Sequence, residues 1–236
     1  MGRDPQYMIP PPFLRTMCGR YAIFTPPDQL AKRFDLPIPD IEPRYNAAPS
    51  QQLPIVPDDA EEIQLARWGL TPAWADEQRD LINARVETLD EKPSFRDAKR
   101  CLVPADGFYE WVEDRGEKQP YYVSRRDGEP FAMAGLRTRW EPKSRQTGLD
   151  SFSNEGADAE EPDAIETFTI VTTEPNEVVE KLHHRMAVIL SREREWLSGG
   201  EFSLASADEL RAYPVSGAVN SPTNDDPSLV REVADV

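Results

Sequence analysis

The chain is 236 residues long and carries 27 Lys and Arg against 43 Asp and Glu, a formal net charge of −16. That balance argues against a protein that holds nucleic acid by a broad basic surface. Two cysteines, Cys18 and Cys101, are too few for a disulfide framework, and no apolar run approaches membrane-spanning length, so a reducing, cytoplasmic setting with no membrane partner is expected.

The length suits one domain with tails and is enough to bury a proper core. The negative charge is dispersed and Lys is scarcer than Arg. This pattern resembles proteins of a high-salt (halophile) cytoplasm, whose carboxylates keep the surface hydrated; ordinary acidic solubility is the other reading.

Residues 1–16 (MGRDPQYMIPPPFLRT) are Pro-rich and lack the apolar centre of a signal peptide. They are expected to be a disordered leader, or the product of a start assigned upstream of Met17. Met17-Cys18-Gly19-Arg20-Tyr21 follows. Removal of everything up to Met17 would leave Cys18 as a 1,2-aminothiol, a group that captures aldehydes: the amine forms an imine and the thiol closes it to a thiazolidine. A buried cysteine in an ordinary first strand is the alternative.

Thr25-Pro26-Pro27-Asp28 predicts a helix capped by Thr25, with Leu30, Ala31 and Phe34 on one face. A Pro-rich loop spans 36–43, and Arg44 to Pro49 reads as irregular backbone because Pro49 disfavours helix before it. Ile63 to Trp68 alternates and predicts a strand, followed by a loop at Thr71 to Trp74. Ile82 to Arg85 and Cys101 to Pro104 are short segments near the core. Gly107 to Val112, Tyr121 to Ser124 and Phe131 to Leu136 predict strands, the last two joined by a turn at Asp127-Gly128.

Residues 141–166 hold two basic against eight acidic residues and little to bury, which predicts a disordered acidic loop within the domain. Strand signal resumes at Phe168 to Thr172. Helices are expected over Glu174–Leu182 and after Ser191 up to Gly199-Gly200, and Ser206 to Glu209 is a capping box before a third short helix. Short strands with scattered helices indicate an α+β fold with a mostly antiparallel sheet.

Six stretches taken together resemble one family. They are Met17 to Tyr21, Arg44 to Pro49, Trp68 to Pro72, Ile82 to Thr88, Arg100 to Trp111, and His183-His184-Arg185-Met186. In this order and spacing they resemble the SRAP family, SOS response-associated peptidase-like abasic site processing proteins. The likeness runs from Met17 to about residue 230. It implies a single SRAP-like domain over 17–230, with a twisted sheet or barrel, flanking helices and a short tail at 231–236. It further implies a covalent bond between Cys18 and the open-chain aldehyde of an abasic site in single-stranded DNA, shielding the lesion during the DNA damage response. The family name adds a self-cleaving peptidase activity. A monomer without cofactor, nucleoid-associated when on DNA, is expected.

Capture requires a group that opens the closed deoxyribose and dehydrates the carbinolamine. Glu110, between Tyr109 and Trp111, is the candidate if burial raises its pKa; a solvent-facing position on an alternating strand is the bland reading. The resemblance selects His183 over His184 as proton shuttle and assigns Asn83 to hydrogen bonding at the deoxyribose or the Cys18 amine. It matches Arg20, Arg85 and Arg185 to phosphates, with Asn46 beside them and Arg96 weaker. Pro49 and Trp74 are candidate wedges against bases; Trp68 belongs to the core. Two histidines and two distant cysteines lack zinc spacing, so no metal is expected. Ala187 stands where the family has Pro. Two rival readings remain: a free-standing cysteine peptidase or amidase using Cys18, His183 and Glu110, and a non-covalent single-strand binder.

Overall fold

A computed structural model describes residues 19–114, 117–142 and 163–234. The strands among them form two sheets. In the first, β1 (Tyr21–Ile23), β2 (Arg44–Ala47), β7 (Gly107–Asp114), β8 (Glu117–Arg125) and β12 (Leu210–Pro214) run in the order β12–β8–β7–β1–β2, all antiparallel.

The second sheet contains β3 (Gln52–Pro57), β4 (Gln64–Trp68), β5 (Asn83–Arg85), β6 (Lys99–Ala105), β9 (Phe131–Trp140), β10 (Ile165–Thr173) and β11 (Met186–Ala187). Because β9 pairs back onto β10, the strands β10, β4, β3, β6 and β9 close into a five-stranded barrel, which removes their free edges. Only β4 and β5 run parallel to their partner β10. The α+β, mostly antiparallel fold expected from the sequence is therefore the one observed. Among the described residues, three short helices flank it: α1 (Pro27–Phe34), α2 (Pro93–Arg96) and α3 (Glu193–Leu197).

Side-chain alternation explains the layers. On β6, Cys101, Val103 and Ala105 enter the main core while Leu102 faces a second cluster under α2 and α3 with Phe95 and Trp196. On β9, Phe131 and Met133 face in, and Ala132, Ala134 and Leu136 face that second cluster. Both faces are covered, so these strands read as continuous apolar runs. Gly135 is needed where β6 and β9 close up: a Cβ there would sit 2.8 Å from the Cys101 sulfur. The first sheet behaves likewise. Tyr21 and Ile23 enter the main core, and Ala22, Tyr109 and Tyr122 form a third cluster with Val215, Val219 and Leu229 of the C-terminal segment.

Several expected elements differ. Arg44–Ala47 is strand β2, not irregular backbone; the extended conformation that Pro49 favours upstream is equally that of a strand. Strand β3 was hidden by its prolines, Pro54 and Pro57, which read as strand breakers. Thr25 does not cap α1. Its hydroxyl and amide, with the Phe24 amide, bind the buried Asp106 carboxylate instead. Residues 174–182 form no helix: 177–182 are turns, opened by the Asn176 side chain accepting from Val178 and Val179 N–H at 3.1 Å each. Ser191 caps nothing: its hydroxyl donates to the Ser203 carbonyl, and Arg192 precedes α3. The Ser206–Glu209 capping box is present but opens only a 3-10 turn into β12. Of the expected acidic loop, Ile165 and Glu166 belong to β10, and residues 143–162 lie outside the described residues. So do the leader and Cys18.

Candidate functional site

A cleft of about 580 Å³ opens where the far end of the β7–β8 hairpin meets the turn after β2, the loop before β11 and the C-terminal segment. Gly19 and Arg20 enter it ahead of β1. Glu110 and Trp111 come from β7, Pro49 from the turn after β2, His183 from the loop before β11, and Asn220 from the 3-10 turn Gly217–Asn220. Glu113 and Lys118, opposite one another across the hairpin, complete the rim.

Glu110 is 2 % exposed. The solvent-facing reading of this residue fails because β7 has both faces covered: Phe108 and Glu110 lie on the core side, Tyr109 on the other. His183 is also buried, while His184 is exposed. The Nδ1 of His183 sits 3.2 Å from the Arg185 amide nitrogen and 3.1 Å from the Arg185 carbonyl, so the backbone two residues on fixes the ring's orientation. Glu110 and His183, remote in sequence, thus share one cleft with Gly19, the residue bonded to Cys18.

Arg20 is half-buried. Its Nη1 donates to Asn46 Oδ1 at 2.8 Å and to the Val219 carbonyl at 3.0 Å. Burial draws its pKa below the ordinary guanidinium value, partly offset by Tyr109. The Tyr109 hydroxyl, whose own pKa burial raises, donates to the Tyr45 carbonyl at 2.6 Å and fixes β2 across the sheet.

Asn83 stands on β5, half-buried and in register with Ile170 of β10; it is not among the residues lining the cleft. Arg85, two residues on, is exposed. Trp74 is 56 % exposed, with its indole N–H toward the Pro93 carbonyl at 3.3 Å, and it lies outside the cleft lining. Arg96 is exposed beside Asp97. Trp68 is fully buried, as read from the sequence.

Two of the residues expected at DNA are engaged within the protein. Asn46 has no exposed surface, and its amide is spent on Arg20 and on carbonyls of the C-terminal segment. Arg185 closes its fork on Glu87, at 2.7 and 2.8 Å, and also donates to the Thr172 carbonyl at 2.8 Å. That hydrogen-bonded pair holds the Glu87 carboxyl below the usual range, so its stabilisation is complete at neutral pH and fades only as pH falls through the acid limb. Arg185 thereby ties the His183 loop to the turn after Asn83 and Arg85. Four cleft residues went unread in the sequence: Trp111, Glu113, Lys118 and Asn220. An aromatic next to the candidate acid-base glutamate was the available signal for Trp111. Nothing local marks Asn220.

A barrel joined to a second antiparallel sheet, with one cleft that gathers a buried glutamate and histidine beside the stretch following Met17-Cys18, is the arrangement this chain presents. The chain belongs to the SOS response associated peptidase (SRAP) family, whose model matches residues 17–222. It is 38 % identical over 238 residues to the abasic site processing protein YoqW of Bacillus subtilis, covering 91 % of this chain and 99 % of that one. It is 32 % identical to the abasic site processing protein YedK of Escherichia coli, over 92 % of this chain and all of that one. A crystal structure of a Bacteroides thetaiotaomicron protein superposes with a TM-score of 0.74 at 28 % identity, covering 92 % of this chain and 100 % of the other.

Proposed function

We propose that this protein processes abasic sites by crosslinking itself to them in single-stranded DNA, through a thiazolidine at Cys18. The observation that carries this reading is the meeting of Gly19, Glu110 and His183 in one cleft. The free Cys18 amine adds to the open-chain aldehyde carbon, giving a carbinolamine. Loss of water leaves an imine. The thiol sulfur then adds to the imine carbon, and its proton goes to the nitrogen, closing the ring. One C–N and one C–S bond form for each water released.

Glu110 moves protons in ring opening and dehydration, and His183 serves the thiol step. Asn83 hydrogen-bonds the sugar or the amine. Arg20 and Arg85 meet phosphates, with Pro49 and Trp74 against neighbouring bases. Asn46 and Arg185 act by positioning. The same cleft serves hydrolysis of the Met17–Cys18 bond, the self-cleaving peptidase activity that frees the amine. The protein acts as a monomer in the cytoplasm, associated with the nucleoid when on DNA. Among the described residues, no helix is long and apolar enough to cross a membrane.

The test uses protein beginning at Cys18 and a single-stranded oligonucleotide with one abasic site, either intact or reduced by borohydride to the alcohol. An adduct that survives denaturing electrophoresis is expected with the aldehyde and absent with the alcohol. Equal adduct on both strands, or none on either, overturns the reading.

The net charge of −16 sets a second expectation. Phosphate binding weakens steeply with salt, and at 1 M the screening length is only ~3 Å, so a halophilic protein cannot gather DNA from a distance. Covalent closure makes a brief encounter permanent. Adduct yield at long times is expected to stay high in molar salt while binding to undamaged strand stays weak, and low salt is expected to lower the melting temperature through carboxylate repulsion. Highest stability at low salt, with crosslinking confined to it, would contradict the halophilic assignment.

A further inference from the structure

The C-terminal segment 217–230 reaches the cleft at two points. At the first, the buried Asn46 accepts from Arg20 through Oδ1 and points Nδ2 at the carbonyls of Val219, Ser221 and Asn224, at 3.2, 3.0 and 2.8 Å. An amide nitrogen has two hydrogens to give, so its capacity is filled by that segment. Asp225 secures the same junction from the other side. Its Oδ1 accepts from the amides of Tyr45 and Asn46 at 2.6 and 3.1 Å, and its Oδ2 from Arg44 at 3.2 Å. At the second point, Asn220 Oδ1 accepts from the Trp111 indole N–H at 2.7 Å.

Arg20, which lines the cleft, and Arg185, which lies outside its lining, therefore differ in kind. Arg185 is neutralised by a carboxylate. Arg20 is held by an amide oxygen and a peptide carbonyl, both uncharged, so its direction is fixed while its positive charge remains available to an anion. Apolar packing of Val219 and Leu229 in the third cluster would anchor the segment without either polar latch. The latches do something packing does not: one aims Arg20 and the other aims Trp111, both lining the same cleft.

We infer that segment 217–230 is a positioning element of the DNA site, with Asn46 as its latch to Arg20 and Asn220 as its latch to Trp111. Neither asparagine takes part in the chemistry; both set how tightly the strand is held. The inference rests on the abasic-strand reading above.

The experiment uses protein beginning at Cys18 with Asn220→Ala, Asn220→Asp and Asn46→Ala. Binding to a borohydride-reduced abasic strand is followed by fluorescence anisotropy across salt, alongside adduct kinetics on the intact strand, thermal melts and the Trp111 indole N–H resonance. Asn220→Ala, at an exposed side chain, is expected to keep the fold and raise the half-saturating strand concentration several-fold. Its indole resonance should shift, and Asn220→Asp, which keeps the accepting oxygen, should restore it. Asn46→Ala should flatten the salt dependence of binding by about 0.7 in log–log slope, the loss of one phosphate contact on a single strand. Should Asn46→Ala fail to fold, Asn220→Ala decides. Wild-type half-saturation and an unmoved indole resonance in folded Asn220→Ala would overturn the inference. An unsubstituted protein that forms no adduct would instead overturn the functional reading.

Discussion

Protein that retains residues 1–17 is expected to give no abasic-site adduct, and the same chain beginning at Cys18 to give it in high yield. In the longer chain the Cys18 nitrogen is a peptide nitrogen. Its lone pair is delocalised into the carbonyl, the resonance that makes the peptide bond planar, and it cannot form an imine. The thiol alone would give only a reversible hemithioacetal. Cys18→Ala in the shorter chain should fail differently. Its free amine still forms an imine, which hydrolyses under denaturing conditions but becomes permanent when borohydride is added during the reaction. Acetylation of the α-amine separates this chemistry from that of a free-standing cysteine peptidase, whose thiol attack does not need the amine. Intact mass and denaturing electrophoresis on the same samples decide the matter: robust adduct from protein whose mass includes Met1 would be incompatible with capture by the Cys18 amine.

Glu110→Gln is expected to slow adduct formation by about 100-fold or more, within the range of general acid–base contributions. The substitution preserves the side chain's shape and keeps one accepting oxygen, so the buried position on β7 is retained and the melting temperature should move little. What disappears is the ability to give and take a proton during opening of the sugar ring and departure of water. Binding to the borohydride-reduced strand should be unchanged, because that measurement involves neither step. A loss of binding equal to the loss of rate would show that Glu110 serves the fold or the strand rather than the chemistry.

Part of the cleft lining was legible because motif order survives without knowledge of the fold. Glu110, His183 and Arg20 were selected from their stretches, and the structure gathers all three in one cleft. Strands β7, β9 and β10 were legible because their apolar side chains are packed on one or both faces, which leaves a local signature. Other features had no such signature. A threonine before two prolines is a natural helix cap, yet Thr25 satisfies Asp106, far along the chain, because folding brings a buried carboxylate to it. Strand β3 contains two prolines and still pairs on both sides, with β4 and β6.

By itself, then, the sequence determined the α+β class, the family and the stretches that meet at the cleft, since each depends on residue types and spacing carried locally in the chain. Tertiary structure alone decided which arginine keeps its charge for an anion and which asparagine is a latch. Arg20 and Arg185 are equally arginine in the sequence. One meets neutral oxygens contributed by Asn46 and Val219, and the other meets the Glu87 carboxylate. Hydrogen-bond and ion-pair partners are chosen by proximity in the folded chain, over separations that no local pattern encodes.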